Sequence, residues 1–312
     1  MTAGEPLVRS TSPVGEGEAA AEAASLRDWW TLLKPNVMQL VVFTAAVGLY
    51  LAPQTLHPLL AAVTILCIAA GAGASAALNN AWDADIDAAM ARTCLRPTAA
   101  GRIAPAEAGT LGVTVALVSV MVLGLATNWL AAGLLAFTIV FYAGVYTVLL
   151  KRRTPQNIVI GGLAGALPPV IGWSAATGTL DVVPLLLCAV IFLWTPAHFW
   201  ALALYRRQDY GRAGVPMLPV VAGEAATRRQ IVVYAAATVA ASLALLLTGA
   251  FGWVYAVAAV GCGGHFLWRA IQLLGHADDR RAVRLFRSSI VYLFLLFVAM
   301  VIDRAASGSV GS

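Results

Sequence analysis

The sequence predicts an all-α polytopic membrane protein: about nine transmembrane helices in a bundle, arranged as two four-helix pseudo-repeats around a central cavity. Three observations lead there. Only 11% of the 312 residues are charged and 60% are hydrophobic, whereas a soluble domain carries about 25% charged residues. The apolar residues gather in runs of the length that crosses about 30 Å of hydrocarbon, with no alternating pattern of a membrane β-barrel. Finally, an acidic segment early in the chain has an echo at a constant offset later on.

In chain order, residues 1–25 hold Glu5, Glu16, Glu18 and Glu22 among Ala, Gly, Ser and Pro, without the basic start and apolar core of a signal peptide. A disordered cytoplasmic tail is expected there, then a single intramembrane domain over 26–306 and a short C-terminal tail at 307–312. Leu26, Trp29, Trp30 and Leu33 recur at helical spacing, which suits a helix lying in the interface before Lys34 and Pro35 turn the chain inward. Spans are expected near 37–52, 58–81, 109–127, 129–150, 158–176, 182–204, 230–250, 252–272 and 286–306.

Lys and Arg set the orientation. They cluster before the first span (Arg9, Arg27, Lys34) and after the second (Arg92, Arg96, Arg102), fourth (Lys151, Arg152, Arg153), sixth (Arg206, Arg207, Arg212, Arg228, Arg229) and eighth (Arg269, Arg280, Arg281, Arg284, Arg287). The opposite loops, 53–57, 127–128, 177–181 and 251–252, contain none, and only Arg304 falls on that side. The N-terminus is therefore expected in the cytoplasm, in the plasma membrane of the cell, and the C-terminus outside. The net charge of +5 is explained by topology, and no nucleic-acid partner is expected; the partner surface is the lipid bilayer. Cys67, Cys94, Cys188 and Cys262 lie far apart with no metal-ligand spacing, and three of them sit in apolar runs.

The second span ends in Asn79-Asn80-Ala81-Trp82-Asp83-Ala84-Asp85-Ile86-Asp87. At 100° per residue, Asn79, Asp83 and Asp87 follow one another along one helix face, with Asn80 and Asp85 beside it. Carboxylates at a membrane-embedded helix end are costly unless a cation is shared among them. Hard oxygen ligands in this number suit Mg²⁺, which bridges carboxylates to phosphates. Arg92 and Arg96 follow, and guanidiniums beside metal-holding acids make a diphosphate clamp. A merely solvated acidic helix end is the bland alternative.

The echo is Tyr205-Arg206-Arg207-Gln208-Asp209-Tyr210 at the end of the sixth span. Pro97 and Gly101 follow Asp87 at the same distances at which Pro219 and Gly223 follow Asp209, each Gly preceded by Ala. Chance recurrence of one Pro and one Gly, or duplication of a four-helix unit, gives this pattern. Duplication would set the two acidic ends face to face across one cavity, one with three Asp, the other with Asp209 and Tyr205.

These residues resemble the UbiA superfamily of intramembrane aromatic prenyltransferases, through Asn-x-x-x-Asp-x-x-x-Asp, Arg92-Thr93-x-x-Arg96-Pro97 and the second acidic loop. More narrowly they resemble its haem-modifying branch. The stretches that carry this are Tyr146-Thr147-x-x-Leu150-Lys151-Arg152-Arg153-Thr154-x-x-Asn157, the 161–173 segment with Pro168-Pro169, Trp194-x-Pro196-x-His198-Phe199-Trp200, and the run from Tyr205 to Pro219. The likeness covers the chain from about Leu33 to Arg304. It implies transfer of a farnesyl group from farnesyl diphosphate to a vinyl group of haem b with addition of water, giving haem O and diphosphate. A haem A synthase or an oxidase assembly factor is the protein partner it would imply. Other branches carry Asp-x-x-x-Asp in the second loop; Tyr205 in the first place leaves a second complete metal clamp open.

On that reading Asp83, Asp87, Asp209 and Lys151 are the expected catalytic residues, with Asn79, Asp83, Asp87 and Asp209 around Mg²⁺. Asn79, Asn80, Arg92, Arg96, Arg153, Tyr146, His198, Tyr205 and Arg206 are expected to bind substrate. Lys151 to Arg153 serve equally well as positive-inside anchors, as do Arg206 and Arg207, whose functional alternative is the haem propionates. His198 either bonds across helices or meets the porphyrin; His265 has the same two readings. The rival functions are prenylation of a quinone-precursor ring by the same fold, and secondary transport, for which ionisable residues nearer the midplane would be expected.

Overall fold

A computed structural model describes residues 24–275 and 278–308. Most of the expected N-terminal tail lies outside the described residues. Ser25 does not belong to a tail: its hydroxyl accepts from the Asp28 N–H, and Asp28 reaches back to it, so it caps α1 (Leu26–Leu32). The chain then turns at Lys34, whose backbone is left-handed with φ 54°, into α2 (Pro35–Leu51). Together α1 and α2 form a pair bent by 49°. Proline in the first turn, where its missing N–H costs nothing, opens α2, α3 (Pro58–Trp82) and α5 (Pro105–Ala126).

The short α4 (Ala84–Ala89) follows α3, and α6 (Trp129–Val140) follows α5 with Asn128 as its cap. From Phe141 to Leu150 the α6 helix widens into a π-helix, its register visible where the Lys151 N–H donates to the Tyr146 carbonyl at 2.9 Å. Next come α7 (Asn157–Ala166) and α8 (Pro168–Thr177), parted by Pro168 and Pro169, which cannot donate to the preceding turn. The remainder is α9 (Val182–Tyr205), α10 (Arg207–Arg212), α11 (Leu218–Val221), α12 (Gly223–Ala244), α13 (Trp253–Gln272) and α14 (Asp279–Gly308). Among the described residues, eight helical spans are long and apolar enough to cross a membrane, and up to nine if the bent pair counts as one, in line with the sequence.

α3 packs on α5 as α9 packs on α12, and α5 on α6 as α12 on α13; α14 closes the bundle against α13 and α9. α2 meets α8 backbone to backbone: a Cβ on Gly48 would lie 2.1 Å from the Pro169 carbonyl oxygen, and one on Gly172 2.2 Å from that of Ala45. The echo extends to the chain path. α3 breaks at Asp83 (φ −95°, ψ 13°) before α4, and α9 breaks at Arg206 (φ −110°, ψ 14°) before α10. Gly101 (φ 73°) and Gly223 (φ 80°) make the matching left-handed turns.

Candidate active site

The α3–α4 break gives the acidic segment its geometry. Although the helix is interrupted at Asp83, the Asp87 N–H still donates to the Asp83 carbonyl at 2.8 Å, so both side chains stay within one helical turn. Asp83 is fully buried and ion-paired with Lys151, which the wide π-helix carries to it. Asp87, 2% exposed, pairs with Arg96 at 2.6 Å and lines a cavity of about 310 Å³. Asn79 links the parts: its Nδ2 donates to Asp83 Oδ2 at 2.6 Å and to Thr147 Oγ1 at 3.1 Å, and its Oδ1 accepts from Lys34 Nζ at 2.7 Å. Thr147 in turn donates to the Tyr142 carbonyl at 2.9 Å, filling the open turn of the π-helix.

The cavity is amphipathic. One end gathers Lys34, Asn79, Asp87, Arg92, Arg96 and Lys151, ringed by Tyr142, Tyr146 and Tyr210. The rest is apolar wall from α2, α3, α6, α7 and α8. Four cations against two carboxylates leave the polar end with positive charge to spare, as a multiply charged anion requires. Burial raises the Tyr210 hydroxyl above the usual phenol range while Arg92 beside it pulls it back, so Tyr210 is a neutral donor at physiological pH.

The expected site residues therefore divide. Asn79, Asp87, Arg92, Arg96, Tyr146 and Lys151 line the cavity, with Asp83 directly behind. Asn80 faces the other way and donates to the Leu32 carbonyl at 3.0 Å, tying α3 to α1. Arg153 is exposed outside the lining, and Arg152 chelates the exposed Asp85 at 2.7 and 2.8 Å. Those bonds hold the Asp85 carboxyl below its usual range. Asp209 lies 3.6 Å from Arg206, whose guanidinium sits over the Tyr205 ring; none of the three lines the cavity, which the second segment reaches through Tyr210 and Met217.

His198 also lies apart. Its ring is stacked between Trp194 and Phe286, with centroids 4.2 and 4.5 Å away, and its Nδ1 pairs with Ser289 Oγ at 2.7 Å. Both ring faces are covered, leaving only the Nε2 edge. His265 sits on the exposed face of α13 beside Trp268 and Arg269. The sequence reading missed Lys34, Tyr142, Thr147 and Tyr210 as site residues; the signals were there for three of them, Thr147 and Tyr210 lying in the stretches that carry the resemblance and Tyr142 standing one helical turn before Tyr146.

Among the described residues no three acidic, His or Cys side chains form a ready-made metal cage. The donor set nonetheless fits Mg²⁺, which binds through one or two carboxylates and takes its other ligands from water and phosphate. Asp83 and Asp87 would supply the carboxylates, and Asp83 Oδ1, 3.8 Å from the Arg152 guanidinium, is buried without a hydrogen-bond partner, which a metal ion would satisfy.

The model of the UbiA prenyltransferase family matches residues 41–299. The chain belongs to this family. Its relatives include the protoheme IX farnesyltransferases of Sinorhizobium fredii, 54% identical and aligned over 95% of both chains, and of Rhizobium meliloti, 53% identical over 93% of both. Among solved structures of the UbiA fold, a digeranylgeranylglyceryl phosphate synthase superposes with a TM-score of 0.75 at 15% identity, over 89% of this chain and 98% of that one. A UbiA homologue from Archaeoglobus fulgidus, bound to GPP and Mg²⁺, gives 0.63 at 15% identity, over 88% and 99%.

Proposed function

We propose that this chain transfers the farnesyl group of farnesyl diphosphate to a vinyl group of haem b, giving haem O and diphosphate. The observation that carries it is identity above half, along almost the whole length, to protoheme IX farnesyltransferases. The amphipathic cavity agrees with such a donor: a charged pocket for diphosphate opens onto an apolar arm for the isoprenoid.

Ionisation of the C1–O bond puts negative charge on diphosphate and positive charge on the allylic carbon. Lys34, Lys151, Arg92 and Arg96 hold the phosphate oxygens and lower the cost of that charge. Asp83, Asp87 and Asn79 would hold Mg²⁺, which when bound would neutralise charge on the leaving group. Tyr142 and Tyr146, with ring centroids 5.3 Å apart, line the cavity beside the charged groups, where an allylic cation would gain cation–π stabilisation. The bundle keeps water from that carbon until the vinyl group attacks it. C1 gains a bond to the vinyl carbon as the C1–O bond breaks; water then adds to the porphyrin-side cation and releases a proton. The Lys and Arg distribution supports an N-terminus and a site on the cytoplasmic side.

Membranes carrying the chain, supplied with haem b, farnesyl diphosphate and Mg²⁺, are expected to yield haem O on pigment extraction. No haem O, or an equal yield after chelation of divalent ions, overturns the proposal.

A further inference from the structure

The apolar arm has a measurable depth. Along α3 its wall runs from Asn79 at the charged end through Ser75 and Gly71 to Ile68, about 16 Å at 1.5 Å per residue. Ile68, Leu135 and Ile171, all buried, line the far end. Into this arm Gly165 of α7 presents bare backbone. It is exposed although Ala164 and Ala166 on either side are buried, it lines the cavity, and a Cβ built on it would meet nothing within 4 Å.

Neither of the usual reasons for a glycine applies. The residue is not among those with positive φ, and no neighbouring helix approaches it closely, in contrast to Gly48 and Gly172. Gly133, Gly144, Gly261 and Gly264 are equally open within their helices, but of these glycines only Gly165 lines the cavity, where the missing side chain leaves space to a ligand. Three isoprene units in zigzag, twelve main-chain carbons joined by eleven bonds of about 1.5 Å, extend about 14 Å, close to the depth of the arm.

We propose that Gly165 and Ile68 set the length of isoprenoid that the cavity admits, Gly165 by leaving room for the third isoprene unit and Ile68 by closing the floor beyond it. This rests on the prenyl-diphosphate reading of the cavity but not on the identity of the acceptor. A side chain at 165 would occupy the volume of the terminal unit, and removing bulk at 68 would open room for a fourth.

The test is binding of non-cleavable geranyl, farnesyl and geranylgeranyl thiolodiphosphates, with Mg²⁺, to the detergent-purified full chain. Thermal unfolding is followed in parallel. The unaltered protein should prefer the farnesyl analogue. Gly165→Leu should shift the geranyl-to-farnesyl affinity ratio about tenfold or more toward geranyl, with Gly165→Ala between the two. Ile68→Ala should raise affinity for the geranylgeranyl analogue. Unchanged farnesyl preference in a folded Gly165→Leu protein overturns the ruler, as does loss of all three analogues at unaltered thermal stability. Should Gly165→Leu unfold, an unchanged ratio in Gly165→Ala and Ile68→Ala overturns it instead. Failure of the unaltered protein to bind any analogue would instead remove the prenyl-diphosphate reading itself.

Discussion

Residues 79–101 and 201–223 follow the same path with different side chains. Each ends a long helix, breaks, adds a short helix and turns at a left-handed glycine. In the first, Asp83 and Asp87 are withdrawn from water and matched to Lys151 and Arg96, cations from distant or following segments. In the second, Asp209 is satisfied by its near neighbour Arg206, and the cavity receives Tyr210 instead. A repeated backbone thus supplies two similar platforms, and they differ in the charge that each one buries.

The comparison breaks most sharply at the carboxylates. Asp83→Ala and Asp87→Ala should each lower haem O formation about 10³-fold, whereas Asp209→Ala should cost about tenfold or less. Equal losses in the two segments, by pigment analysis of membranes with matched protein levels, would restore a symmetric site. Next in size is Lys34→Ala. Losing one charge-assisted contact should raise the KM for farnesyl diphosphate by about 10- to 100-fold with a smaller change in kcat. Thr147→Val, which removes the hydroxyl between Asn79 and the open π turn, should cost about tenfold or less. That loss should appear as a higher Mg²⁺ requirement, and an unchanged Mg²⁺ titration would separate Thr147 from Asn79.

The smallest effect belongs to Asp85. Arg152 holds its carboxyl below the ordinary range, so the pair's contribution is present above the unfolded carboxylate pKa, about 4, and is lost as pH falls through the lower folded value. The side chain is 66% exposed, and solvent screens the pair. Asp85→Asn should leave the midpoint of thermal unfolding nearly unchanged at pH 7 and in high salt. A large drop at neutral pH would show Asp85 to be part of the buried cluster.

Much of the fold was legible in the chain because membrane insertion writes itself into composition: the number and length of the spans follow from the hydrocarbon they must cross. The acidic motif was legible for the same reason, since buried carboxylates are expensive. Lys34 was read only as a topological charge, because a left-handed turn at a non-glycine residue has no sequence signature. The π-helix was equally silent: Phe141–Leu150 has the composition of an ordinary span, yet its wider register is what sets Lys151 against Asp83. His198 stood out as an intramembrane ionisable residue, but sequence could not foresee that aromatic rings cover both its faces.

The seam between Gly48 and Gly172 bears on how a greasy substrate gets in. Two helices locked main chain against main chain have no side chains that could swing aside, so parting them means breaking the whole contact at once. That side of the bundle is a poor place for an opening. A ligand entering from the bilayer would pass more easily through a flank where flexible side chains, which can change rotamer, form the wall.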